Sequence, residues 1–191
     1  MPTIDTFAKV SDHMIEGMMM HEQMADYHNF LGLEGFARLH EYHFICEAIS
    51  MRRIHRYFID HCNRLLPEAN ATHPNVIPVA RSNFTRQAVE SEAKSKAVET
   101  GTHGRCEWGR ETKEPCAKSA KDLYDAGGVA AAGVIYELVR DVDDECKYAD
   151  HLALKLSAVG YGMQVIMPMR YELREKYKKK PHDIWKKLSW G

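Results

Sequence analysis

No apolar run in this chain approaches the roughly 18 residues of a membrane-spanning helix. The opening residues Met1-Pro2-Thr3-Ile4-Asp5 also lack the basic and apolar regions of a signal peptide. A cytoplasmic protein with no membrane contact is therefore expected, and the sequons Asn70-Ala71-Thr72 and Asn83-Phe84-Thr85 carry little weight. Cysteine occurs five times (Cys46, Cys62, Cys106, Cys116, Cys146) without a Cys-x-x-Cys pair, an odd count that argues against a disulfide framework and fits a reducing compartment. There is no Glu-x-x-His anywhere, so the paired motifs that hold two metal ions inside some helical bundles are missing. Net charge is nearly absent at −1, yet Arg170–Gly191 holds eight Lys/Arg against three Asp/Glu, which leaves −6 on the residues before it.

Histidine is what the chain has in excess, and it has it in one place. Seven of the eleven (His13, His21, His28, His40, His43, His55, His61) fall within 49 residues, more than twice the share an even spread would put there. With 191 residues, 45% apolar and 28% charged, the composition describes one soluble globular domain with a sizeable core.

The apolar residues Phe7, Val10, Met14, Ile15, Met18, Met24, Ala25 and Leu31 recur mostly three or four apart, which predicts a helix over about residues 6–31, capped by Asp5 or Thr6. Met18-Met19-Met20 reads as flexible core filling within it. After the Gly32-Leu33-Glu34-Gly35 turn, Phe36, Leu39, Ile45, Ile49, Ile54, Phe58 and Leu65 predict a second helix, about 36–66, ended by Pro67. So short a turn makes the two an antiparallel hairpin.

Pro67, Pro74 and Pro78 mark a crossing loop, and a short helix on the surface is expected from Ser82 or Asn83 to Thr100. Glycines at 101, 104 and 109 and Pro115 leave the helical content of 101–115 open, with a third helix somewhere in 105–124. Beyond the turn Asp125-Ala126-Gly127-Gly128, the stripe Val129, Ala132, Ile135, Leu138, Val142, Cys146, Ala149, Leu152, Leu156 and Val159 predicts a fourth helix that Gly160 and Gly162 stop. The expected fold class is all-α, an antiparallel four-helix bundle over residues 1–160, with a basic and aromatic extension over 161–191.

Tyr27-His28, Gly32, Phe36, Leu39-His40-Glu41 and Phe44 resemble the motif His-Trp-x-Val-x-Gly-x-x-Phe-x-x-Leu-His of the Dps proteins, the mini-ferritins of the ferritin-like superfamily. The twelve-residue step from His28 to His40 is that family's step. Asp125–Gly128, followed by a helix with Glu145 and Leu152, looks like the family's entry into its fourth helix, and the short helix after the proline-rich loop like its extra helix in the connection between the second and third. Residues 27–44 carry the specific part of the likeness.

The resemblance implies a hollow homo-oligomer, usually of twelve subunits, that binds, oxidises and stores iron at sites shared by two subunits, with peroxide or oxygen as oxidant. A ferroxidase activity protecting against peroxide stress is its functional expectation. His28 and His40 stand at the family's histidine positions, while its three carboxylate positions hold Phe44, His55 and Ile59. That substitution removes most of the oxygen donors that Fe(II) and Fe(III) favour. Glu47, seven residues after His40, returns to nearly the same face, so His28, His40, Glu47 and His55 are the expected rearranged site, with His43 and Glu41 behind them. His13, His21 and His61 are expected to face solvent.

Other readings remain beside this one. Histidines at the margin of long amphipathic helices often bind nothing, which would make the chain a non-catalytic ferritin-like structural or shell-forming protein. His103, Cys106 and Cys116 are zinc-compatible but lack a fourth ligand. The tail YKKKPHDIWKK suits DNA phosphates, although a solvated or subunit-packing role is favoured.

Overall fold

A computed structural model describes residues 3–63, 65–66 and 91–178. They form five helices: α1 (Thr3–Phe30), α2 (Glu34–Cys62), α3 (Ser91–Asp125), α4 (Val129–Ser157) and α5 (Met163–Tyr177). The proline-rich loop, the expected start of the short helix, both sequons and the tail beyond 178 lie outside the described residues.

Three of the turns between helices have the same construction. Gly32, Gly127 and Gly160 adopt φ of 72°, 83° and 61°, and the next amide closes back onto the preceding helix: Leu33 N–H to His28 O, Gly128 N–H to Leu123 O and Tyr161 N–H to Leu156 O. Such a left-handed residue, favourable for glycine, satisfies carbonyls a helix end would otherwise leave open. α2 stops earlier than expected. Asn63, at φ 50°, donates its amide to Ile59 O and ends the helix before Pro67 is reached.

α1 pairs with α2 and α3 with α4, and α5 lies along α2. Two apolar clusters fill the interior. One gathers Phe7, Val10, Met14, Ile54, Phe58, Leu123, Ile135 and Leu138; the other gathers Met24, Leu31, Phe36, Leu39, Val98, Leu156, Ile166 and Leu173. α1 and α4 run from the first cluster to the second, and α2 and α3 run from the second to the first. α2 therefore ends and α3 begins at opposite ends of the bundle, the arrangement of a four-helix bundle with one long crossover. Ile166, Met169, Leu173 and Tyr177 of α5 are buried in the second cluster, so the residues just past 160 pack as part of the interior.

α3 departs most from expectation. Residues 91–100 are its first turns rather than a separate surface helix, with Ala97 and Val98 fully buried. The helix then continues through the glycines and Pro115. The reason is a buried stripe of unusual composition: Val98, Thr102, Arg105, Gly109, Thr112, Cys116, Ala120 and Leu123 recur every three or four residues and are all buried. Two glycines are there for close approach, since a Cβ on Gly101 would meet His28 and one on Gly109 would meet the Cys146 thiol.

Candidate functional site

Between the two apolar clusters, all four bundle helices turn polar residues inward at the same level. α1 supplies His21, α2 supplies His40, His43 and Glu47, α3 supplies Arg105 and α4 supplies Glu145, every one of them buried. Each stands on the apolar face of its helix, where the 3.6-residue repeat points it inward.

Glu145 Oε1 is the hub. Arg105 Nε donates to it at 2.7 Å, His43 Nδ1 lies 3.0 Å away and His21 Nε2 3.2 Å. Arg105 Nη2 reaches His43 Nε2 at 2.7 Å. These partners fix the neutral tautomer of His43, in which Nδ1–H faces the carboxylate and Nε2 accepts from the guanidinium. His21 Nδ1 meets His40 Nδ1 at 3.0 Å. One of the two Nδ1 atoms donates and the other accepts, while His21 Nε2, though 3.2 Å from Glu145 Oε1, is buried without a well-formed hydrogen bond. The His28 ring stacks on His40, centroids 5.1 Å apart and planes 14° from parallel.

The electrostatics follow from burial and from these partners. Desolvation pushes His28 down to about 4, against smaller opposing contributions from the backbone of Met24 and Ala97. It pushes His43 to about 3, aided by Arg105, and lowers His21 and His40 as well. The imidazoles are thus held neutral, the form that ligates metals. Burial alone would raise Glu145, but His43 and Arg105, with the hydrogen bonds from His21 and His43, outweigh it and hold the carboxylate well below its usual range. Glu47 goes the other way, raised well above its usual value by burial and then by the nearby Glu145 charge. Its Oε2 is buried with no hydrogen-bond partner, as is Arg105 Nη1.

A cleft of about 650 Å³ between α2 and α4 reaches this layer, with Tyr42, His43, Glu47, Asp141, Glu145 and Tyr148 among the side chains on its walls. Among the described residues, no group of three or more His, Cys, Asp or Glu is arranged to hold a metal ion. The donor types nonetheless suit a borderline divalent ion: two carboxylates and a neutral imidazole on the cleft wall.

Of the four residues expected from the sequence, His28 and His40 meet ring to ring inside one chain, 1% and 3% exposed. Glu47 lines the neighbouring cleft. His55 is not brought to them. It is half-buried on the other side of Ile54 and pairs with Ser11 Oγ at 3.2 Å. His13 and His61 are half-buried and exposed respectively, but His21, expected in solvent, is fully buried. His43, a second choice, sits at the hub, whereas Glu41 lies outside it, 3.5 Å from Asn29. The zinc grouping dissolves: on a continuous α3, Cys106 and Cys116 are about 15 Å apart along the axis, and His103 is turned out to the Tyr161 hydroxyl at 3.1 Å. All five cysteines are free thiols.

Arg105 and Glu145 were missed as site residues, though both left a trace in the sequence. Glu145 follows Val142 by three residues and precedes Ala149 by four, which puts it on the apolar face of α4 beside Cys146, and Arg105 falls seven residues after Val98 on the α3 face that also buries Thr102 and Gly109.

Solved structures share this architecture. An open-pore ferritin from the hyperthermophilic archaeon Archaeoglobus fulgidus superposes with a TM-score of 0.69 over 90% of this chain and 93% of its own, at 12% identity. The fold is ferritin-like. A humanized archaeal ferritin gives 0.71 over 90% and 94%, at 13% identity, and a form of the Archaeoglobus fulgidus protein engineered to be closed gives 0.69 over 90% and 93%, at 12%. No protein-family model and no curated protein matches the chain. In this ferritin-like bundle the polar layer lies inside a single chain, among all four helices, and no helix among the described residues is long and apolar enough to cross a membrane.

Proposed function

We propose that this chain is an iron-handling ferritin-like protein that assembles with copies of itself and oxidises Fe(II), its substrate, with peroxide or oxygen, as the Dps-like motif implies. Fe(II) enters the cleft between α2 and α4, where Glu47, Glu145 and His43 are the donors that would have to turn toward one ion, since as they stand they do not form a ligand group; His21 and His40 are buried in the same layer and His28 stacks on His40. Each peroxide takes up two electrons from two Fe(II) and two protons, leaving two Fe(III) and two waters.

The observation that carries this reading is the buried, unpartnered Oε2 of Glu47 on a cleft wall shared with Glu145. An orphaned buried carboxylate oxygen is costly unless something binds it, and carboxylate oxygen is the donor iron favours. The cleft also carries Asp141 and Asp144, which are paired with Arg53 and Lys147, so the donors left to a cation there are those of the buried layer. Self-assembly is supported by the large apolar side chains left exposed on the helices, among them Ile59, Val129, Tyr136 and Leu154.

Anaerobic addition of Fe(II) followed by peroxide tests the reading. Protein-dependent ferric absorbance is expected for the wild type and is expected to disappear in Glu47→Gln; His28→Ala with His40→Ala tests the part of the paired rings. A wild type that behaves like buffer overturns the activity, and a stable monomer on gel filtration overturns the assembly.

A second reading, a non-catalytic structural subunit, is favoured by one observation: Arg105 already neutralises Glu145 at 2.7 Å. The same iron titration separates the two, since the structural subunit gives no ferric signal.

A further inference from the structure

Arg105 is an unusual group to find in this layer. It is 2% exposed and stands among His21, His43, Glu47 and Glu145, where neutral nitrogens and carboxylate oxygens from three other helices converge. Its Nε takes the hub oxygen of Glu145 at 2.7 Å and its Nη2 takes the lone pair of His43 Nε2 at 2.7 Å. Those are the atoms with which a carboxylate and an imidazole would bind a metal. We infer that Arg105 is a tethered cation that competes with a divalent transition-metal ion for the centre of the bundle, so that this one side chain sets how tightly the centre takes such an ion up.

Two observations support the competition. The guanidinium is incompletely satisfied, with Nη1 buried and without a partner, whereas a purely structural buried arginine has its donors filled. The opposite pole of the layer is equally incomplete, because Glu47 Oε2 has no partner either. The layer therefore leaves a donor of Arg105 and an acceptor of Glu47 unjoined, alongside the unpartnered His21 Nε2.

Charge counting gives the direction. Glu145 is ionised and already balanced by Arg105, while Glu47 is pushed toward its protonated form; even if an incoming divalent ion draws off the Glu47 proton, the two carboxylates balance that ion and the guanidinium is left as one buried positive charge, which is strongly unfavourable away from water. His43 Nε2 can serve the guanidinium or the metal, not both, since its one lone pair is committed to Arg105, and Glu145 Oε1 is crowded by Arg105, His43 and His21. The ion class follows from the donors. Mixed imidazole and carboxylate ligands suit Fe, Co or Zn rather than Mg or Ca. The inference rests on the iron reading for its ligands but makes a separate claim about Arg105.

The experiment is a Co(II) titration of the full chain, followed by visible d–d absorbance, for the wild type, Arg105→Met and Arg105→Gln. Gln retains an amide that can donate to Glu145, so at least one neutral variant keeps a partner for the hub; far-UV circular dichroism reports the fold of each. Uptake of Co(II) at least about tenfold tighter in a folded neutral variant is expected, the scale of relieving one buried like charge. That gain is expected to vanish when Glu47→Gln is added, and Arg105→Lys is expected to show none of it.

Equal Co(II) affinity in the wild type and the neutral variants overturns the inference, as does a gain that survives Glu47→Gln, which would locate the metal elsewhere. A wild type that oxidises iron while the variants bind Co(II) no better overturns the role of Arg105 and leaves the iron reading intact. A wild type with no ferric product, beside a variant that binds Co(II) tightly, supports the role of Arg105 and overturns the iron reading.

Discussion

At the end of the bundle where Phe7, Phe58, Leu123 and Ile135 meet, the core is built of apolar side chains. Further along the same four helices the meeting side chains are His21, His43, Glu47, Arg105 and Glu145. Apolar packing is non-directional, so a loss there is graded by the volume removed. The polar layer is directional and interlocked: three groups share one oxygen of Glu145, and taking away any of them leaves buried partners without their counterpart. The apolar ends hold the helices together, and the layer between them gives the interior chemistry.

The largest effect should come from breaking the hub. Glu145→Ala leaves the Arg105 charge buried without its partner and is expected to cost about 3–5 kcal/mol in urea unfolding. Replacing both, Arg105→Met with Glu145→Leu, should recover most of that loss or exceed wild-type stability by about 1 kcal/mol or more. A double variant no more stable than the single one would show that the layer is not interlocked. For contrast, Leu138→Ala in the apolar end should cost about 3 kcal/mol through its cavity alone, with no second substitution across the layer able to restore it.

The pH dependence of stability sharpens the same contrast, because the apolar side chains of the bundle ends do not titrate. His28 has a folded value of about 4 against 6.5 in the unfolded chain. Above pH 6.5 neither state binds a proton there and the ring contributes no pH dependence. As pH falls from 6.5 toward 4, the unfolded chain takes up a proton that the folded chain refuses, so stability falls, by about 3 kcal/mol for this ring, and levels off below 4. The urea midpoint should follow that slope, and His28→Gln should flatten it. A slope unchanged by that substitution would move the effect to His21, His40 and His43.

The smallest effect belongs to the surface. Arg110 pairs with Asp150 at 2.7 Å, but both are exposed, so Arg110→Ala should change stability by less than about 1 kcal/mol. A loss as large as that of Glu145→Ala would remove the distinction between a buried network and a solvated pair.

The hairpin of α1 and α2 was readable because its buried positions are large and apolar. Phe7, Val10, Met14, Phe36, Leu39 and Phe58 announce their face by spacing alone. α3 was not readable in the same way. Its buried face is made of Thr102, Arg105, Gly109, Thr112 and Cys116, small or polar residues that a hydrophobic pattern does not register, and Gly101 and Gly109 looked like breaks when they are points of close contact with α1 and α4. The candidate site divides similarly. His28, His40 and Glu47, singled out by their positions on α2 and the end of α1, are buried in the bundle, while His21, expected in solvent, is buried because its partners lie on other helices.

By itself, then, the sequence determined that the chain would be helical, where the α1–α2 and α3–α4 turns fall, and that histidine would concentrate on one hairpin, because periodicity and turn residues act over a few neighbours along the chain. Only the tertiary structure decided that Arg105 and Glu145 would face those histidines and that His55 would pair with Ser11 instead. Which charge meets which ring depends on how helices from distant parts of the chain are rotated and set against one another, and no local pattern records that.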